Sequence, residues 1–149
     1  MEKILIKADN IKQLKSKLNK AQGFVIVDVN DEKILRAVIN DKKVNMIINV
    51  ESSAYKDFMH ARNSGLNQVL CKILKERGII VGFSFDAVYS KEGMDRAILL
   101  GRMMQNVRIC RKFKVKIAVV DFQGRGEKDL NSFGTCIGLT KGDFEVIKC

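Results

Sequence analysis

From Lys3 onward the sequence alternates between short apolar, β-branched runs and longer segments with helical spacing, and it does so almost to its last residue. That alternation constrains the fold more than any other feature. Strands separated by helix-length segments pair in parallel, because a parallel neighbour needs a crossover of a dozen residues or more. Strands read at Lys3–Ala8, Phe24–Val27, Val44–Val50, Ile79–Phe85, Lys114–Phe122 and Phe144–Ile147. Phe24-Val25-Ile26-Val27 is apolar on both faces, as a strand covered on both sides should be. Between them, Ile11, Leu14 and Leu18 share the face of a helix over Asn10–Ala21, which Asp9 or Asn10 can cap. Ile34, Leu35 and Val38 mark a helical turn or two, and a clear helix runs from Leu66 to Arg77, stopped by Gly78. Lys91–Lys112 is the longest helix, and a shorter one lies near Asp129–Gly138. The interval Ser52–Asn63 is less regular. Six strands in 149 residues make one α/β domain, residues 1–149, as an open doubly wound sheet or a barrel-like wrap. A complete eightfold barrel takes about 250 residues, so a barrel here would be a reduced one.

Charge narrows the function. Twenty-seven Lys and Arg against seventeen Asp and Glu give a formal net charge of +10, which draws a chain towards polyanions. No apolar run approaches the roughly 20 residues that span a bilayer. The start, Met1-Glu2-Lys3-Ile4-Leu5-Ile6-Lys7, lacks the apolar core of a secretory signal, so a cytoplasmic protein is expected. Cys71, Cys110, Cys136 and Cys149 form no Cys-x-x-Cys pair, which argues against a structural metal. Cys71 and Cys110 lie among apolar residues in helical stretches and read as core positions.

Reactive constellations are sparse. His60 is the single histidine, with no nucleophile motif around it. No phosphate-binding Gly-x-x-x-x-Gly-Lys is present, and Gly124-Arg125-Gly126 lacks the third glycine of a dinucleotide site. Asp28, Asp86 and Asp121 fall at strand ends, where an active site can be assembled and where Asp also commonly caps helices. No catalytic or metal-ligating residue is assigned. The basic residues are better organised. On the long helix, Leu100, Met103, Val107 and Cys110 recur at the spacing of a buried face, while Arg102, Gln105, Arg108 and Lys112 gather on another side with Arg96 and Arg111 nearby. Arg62, Arg125 and Lys128 flank them. Guanidinium groups give forked bonds to phosphate oxygens, so this stripe suits a sugar–phosphate backbone. With no Trp and two Tyr, recognition of structured RNA by backbone and shape fits better than base stacking.

The stretch Ala61-Arg62-Asn63-Ser64-Gly65-Leu66-Asn67-Gln68-Val69-Leu70-Cys71-Lys72, followed by Gly78-Ile79-Ile80-Val81-Gly82-Phe83, resembles the central signature of ribonuclease P protein component 3. Arg96 to Phe113 and the strand after it are similar to that family's long basic helix, and Asp129-Leu130 with Gly134–Leu139 to its closing segment. The resemblance covers roughly residues 55 to 140. It implies a TIM-barrel-like, PHP-like α/β fold, here a reduced or incomplete (β/α) barrel, because this chain is shorter than most of that family, mainly in its first half. It also implies a subunit of the ribonucleoprotein that removes 5′ leaders from precursor tRNA. The catalytic RNA would hold the Mg²⁺, no cofactor would bind the protein, and a second small protein subunit would be a partner. RNA contacts then fall to Arg62, Asn63, Asn67, Arg96, Arg102, Arg108, Arg111, Lys112, Arg125 and Lys128, with Ser64 and Gly65 shaping and capping the helix start. A stand-alone metal-dependent phosphoesterase on the same fold is the alternative. A small doubly wound ligand-binding domain is a third reading, and it leaves the charge unexplained.

Overall fold

The computed structural model describes residues 2–52, 57, 59 and 63–149. Six strands form one sheet: β1 (Lys3–Ile6), β2 (Phe24–Asp28), β3 (Met46–Ile48), β4 (Ile80–Ser84), β5 (Ile117–Asp121) and β6 (Phe144–Lys148). Their order in the sheet is their order in the chain, and every neighbouring pair is parallel. The connections carry α1 (Ile11–Lys20), α2 (Glu32–Val38), α3 (Gln68–Arg77), α4 (Phe85–Tyr89), α5 (Gly93–Lys112) and α6 (Glu127–Cys136), with a 3-10 turn at Val50–Ser52.

This topology decides between the two architectures that the sequence left open. Crossovers between parallel strands are right-handed, so strands taken in sequential order send every connection to the same face. The opposite face must then be covered by the sheet curling on itself. Two apolar layers match that geometry. Outward residues such as Val25, Val27, Ile47, Val81, Phe83 and Val119 pack with the helices. Inward residues Ile26, Met46, Ile48, Ala118, Val120 and Ile147 form a separate cluster, joined by Phe24, Ile80 and Phe122. Gly82 marks how tight the inner layer is. A Cβ there would lie 2.8 Å from Val120 Cγ2 and 2.9 Å from Ile48 Cγ2. The curl brings the edges close, for Lys3 Nζ donates to the Lys148 carbonyl at 2.7 Å. No ladder pairs β1 with β6 among the described residues, so the wrap is an incomplete (β/α) barrel.

Local chemistry accounts for the boundaries. Asn10, of the two candidate caps, takes the Gln13 N–H at 2.8 Å, while Asp9 N–H donates back to Gln13 Oε1. Gly78 ends α3 in the left-handed region at φ 67°. The sequence carried the fourth strand through Phe85, but it stops at Ser84, whose side chain caps the short helix α4. On α5 the deeply buried face is Leu99, Met103, Val107 and Cys110, with Leu100 only half-buried, because Asn106 occupies a core position there as well. Cys71 and Cys110 are buried as expected.

Candidate nucleic-acid interface

Each helix in this fold runs back from the carboxyl ends of the strands to their amino ends. Residues early in α5 and late in α5 therefore sit at opposite rims. At 1.5 Å per residue, Arg96 and Lys112 are about 24 Å apart along the axis. The basic residues anticipated on α5 are not one patch.

Those near the carboxyl rim are occupied within the protein. Arg96 donates from Nε to the Val88 carbonyl at 3.1 Å and from Nη2 to the Tyr89 carbonyl at 3.3 Å, fastening α5 to the end of α4. Arg102 reaches the Glu51 carbonyl at 3.1 Å and Asp57 at 3.2 Å, with its side chain only 12% exposed. Arg125 lies between two strand-end acids, 2.6 Å from Asp86 Oδ1 and 2.7 Å from Asp121 Oδ1, and its guanidinium stacks over the Phe85 and Tyr89 rings. Further along α5, Arg111 holds the Gly138 carbonyl and Asp143. Of the cations anticipated as RNA contacts, Arg108 and Lys128 remain exposed with no hydrogen bond or ion pair to the described residues; Lys112 is also exposed, over the Phe113 ring. Arg62 and His60 lie outside the described residues.

The amino rim is more uniformly basic. Lys20 closes α1, Lys75 and Arg77 close α3, Arg111 and Lys112 close α5, and all are exposed. Exposed Lys42, Lys43, Lys114 and Lys116 precede β3 and β5 on the same rim.

Of the two roles open to Asp28, Asp86 and Asp121, helix capping is not the one they take. Asp28 accepts from Asn49 Nδ2 at 3.0 Å, and Asp86 from the Phe122 N–H. Asp121 is fully buried at the end of β5. Burial pushes its carboxyl up, but the backbone N–H and guanidinium of Arg125 and the Gln123 N–H outweigh this and hold it below the usual range. The Arg125 guanidinium is held protonated by Asp86 and then Asp121. Asp121 at the end of β5 and Asp86 in the first turn of α4 thus enclose an arginine. Among the described residues no His/Cys/Asp/Glu group has the spacing of a metal site.

The signature around Ser64 is built inward. Asn67, not Ser64, is the cap of α3, taking the Leu70 N–H at 2.9 Å. Asn63 Oδ1 accepts from the N–H of Gly65, whose φ of 88° lies in the left-handed region. Ser64 is buried, and its carbonyl accepts from Asn106 Nδ2 at 2.9 Å. The same amide donates to Glu51 Oε1 at 3.0 Å. One α5 side chain therefore ties the motif to the turn after β3. Burial pushes the Glu51 carboxyl up to about 7, against the Asn106 hydrogen bond and the Arg102 charge. Neither Glu51 nor Asn106 was singled out from the sequence. The available signal was an Asn between Met103 and Val107, on a face otherwise made of core residues.

Comparison with known proteins bears out the resemblance. No family model matches the chain. Ribonuclease P protein component 3 of Methanocaldococcus jannaschii is 22% identical over 138 residues, 87% of this chain and 56% of that protein. The proteins of the same name from Methanosarcina acetivorans and Methanosarcina mazei are 27% identical over 103 residues and 26% over 106, covering 69% and 71% of this chain. These alignments take in 40% and 41% of the two proteins, so the chain spans about half the length of its curated relatives or less. A chain in the cryo-EM structure of archaeal ribonuclease P with mature tRNA superposes with a TM-score of 0.69 at 22% identity, over 90% of this chain and 59% of that one. The superposition supports the reduced barrel-like α/β fold.

Proposed function

We propose that this chain is a protein subunit of ribonuclease P, the ribonucleoprotein that removes 5′ leaders from precursor tRNA. In this reading it steadies the catalytic RNA together with a second small protein subunit, in the cytoplasm. The RNA, rather than the protein, holds the catalytic Mg²⁺. The observation that carries the reading is its likeness, over most of its length, to several archaeal proteins that share the name ribonuclease P protein component 3.

Electrostatics supports it. Arg108, Lys112 and Lys128 are exposed and suited to phosphate contacts, which add affinity by releasing counterions from the RNA. Arg62 and Asn63 stay in the proposal through their place in the motif, and Asn67 through its exposure beside it. Arg96, Arg102, Arg111 and Arg125 act mainly by positioning protein segments, since their guanidinium groups already have acceptors. The guanidinium between Asp86 and Asp121 also counts against a stand-alone metal-dependent phosphoesterase, because it fills the space that a cation bridging those carboxylates would need.

The test is precursor-tRNA cleavage by the cognate catalytic RNA in moderate Mg²⁺, with and without this chain and a small ribonuclease P protein. Stimulation that requires the RNA is the expected result. Cleavage by the chain alone would overturn it and return attention to Asp86 and Asp121.

A further inference from the structure

A groove of about 1020 Å³ opens beside the carboxyl ends of β4 and β5, between α4, α5 and α6. Phe85, Val88, Leu100 and Phe133 line it, and Tyr89 stands 68% exposed at its side. The lining is stiff. Phe85 and Phe133 meet edge to face with centroids 5.0 Å apart, and Arg125 lies 4.7 Å from the Phe85 ring and 5.2 Å from the Tyr89 ring. Arg125 is itself fixed by Asp86 and Asp121. A preformed apolar recess with an exposed Tyr and a fixed Arg at its edge has the composition of an interface hot spot.

Charge selects the occupant. The chain as a whole carries +10, yet the one guanidinium here is already paired with Asp86 and Asp121, and Asp129 lines the groove as well. Asp129 is exposed on the first turn of α6 and has no hydrogen bond or ion pair to the described residues. A phosphate backbone in the groove would meet this carboxylate with Arg125 already neutralised and with Lys128, the adjacent residue on α6, outside the lining. A cationic side chain would find an acceptor. We propose that the groove is a docking site for another protein, taking a segment that buries an apolar side chain against Tyr89 and Phe85 and sets a Lys or Arg beside Asp129. The proposal rests on the lining of the groove and does not need the subunit reading.

The experiment places photoreactive benzoylphenylalanine at position 89 of the full chain, irradiates it in the source cells, and maps the adducts by mass spectrometry. The expected adduct is with a different protein, at a segment carrying an apolar residue within a few positions of a Lys or Arg. A synthetic peptide of that segment should then bind the purified chain, at least tenfold more weakly to Tyr89→Ala and to Asp129→Lys. Circular dichroism melts would establish that both variants are folded. An adduct removed by nuclease would assign the groove to RNA and overturn the proposal. So would an adduct with a second copy of the chain, no adduct, or peptide binding unchanged in both variants.

Discussion

Replacing Arg125 by Met isolates what its guanidinium does. Methionine keeps most of the aliphatic length over Phe85 and removes only the charged fork. Two charge-assisted bonds are lost, to Asp86 Oδ1 and Asp121 Oδ1, while the backbone donors of Phe122, Gln123 and Arg125 remain. Hydrogen bonds to charged groups are worth about 1.5–3 kcal/mol each. The Asp86 side chain is 24% exposed and regains water, so its share is discounted. Asp121 is buried and cannot, which leaves a cost of about 3 kcal/mol near neutral pH. For a chain of this size that is a fall in Tm of roughly 6–12 °C. The pH dependence separates a charge effect from a packing effect. In the native chain Asp121 is held below its ordinary range, so the pair contributes fully above about pH 4 and is lost as pH falls through the depressed value. In the variant, burial is opposed by fewer donors and the carboxyl rises, so protonation relieves the penalty. Thermal melts at pH 7.5, 5.5 and 3.5 should show the deficit of Arg125→Met shrinking towards acid. A deficit under about 1 kcal/mol at neutral pH, or one of the same size at all three, would refute the reasoning.

The Glu51 carboxyl, raised to about 7 from 4.5, contributes stability below its unfolded value that is lost as pH rises through the folded one. Glu51→Gln, which preserves the acceptor for Asn106, should therefore remove a decline of about 3 kcal/mol between pH 5 and pH 8, read from denaturant midpoints. Gly82→Ala places a methyl group against Val120 and Ile48 and should cost about 1–3 kcal/mol in the same measurement. For RNA binding, Arg108→Ala and Lys112→Ala should each flatten the salt dependence by about one unit of slope, while Arg125→Met leaves the slope unchanged, as filter binding across a salt series would show.

The fold was legible because its signals are local. Strands covered on both faces are apolar throughout, and β2, β4 and β5 read that way without ambiguity. Sequential order was not legible, because nothing within a strand names its neighbour. The helix α4 escaped since five residues, Phe85 to Tyr89, are too few to display a helical period, and Ser84 as its cap was the only clue. The internal acceptors of the basic residues were hidden for a different reason. Composition counts guanidinium groups but not their acceptors, and several acceptors here are backbone carbonyls remote in sequence. Arg102 finds the carbonyl of Glu51 across 51 positions, and Arg111 that of Gly138 across 27. A carbonyl has no sequence signature, so which arginines face solvent could not be read from the chain.

The distribution of charge between the two rims carries a mechanistic consequence. Barrel enzymes assemble their chemistry at the carboxyl ends of the strands, whereas residues at the amino ends usually serve stability. Here the carboxyl rim holds Asp28, Asp86 and Asp121, each accepting from the protein's own donors. The amino rim carries Lys20, Lys75, Arg77, Lys112, Lys114 and Lys116 in the open. Cations in the last turn of a helix stabilise it through the helix dipole, by about 0.3–1 kcal/mol each, so part of this pattern has an intrahelical explanation. That explanation reaches the last turns of α1, α3 and α5 but not Lys114 and Lys116, which lie beyond α5. The two causes predict different observables: the dipole acts on folding stability, and a polyanion contact acts on the salt slope of binding. A basic rim at the end opposite Asp86 and Asp121 suits the proposed role, in which the protein lets RNA strands approach one another.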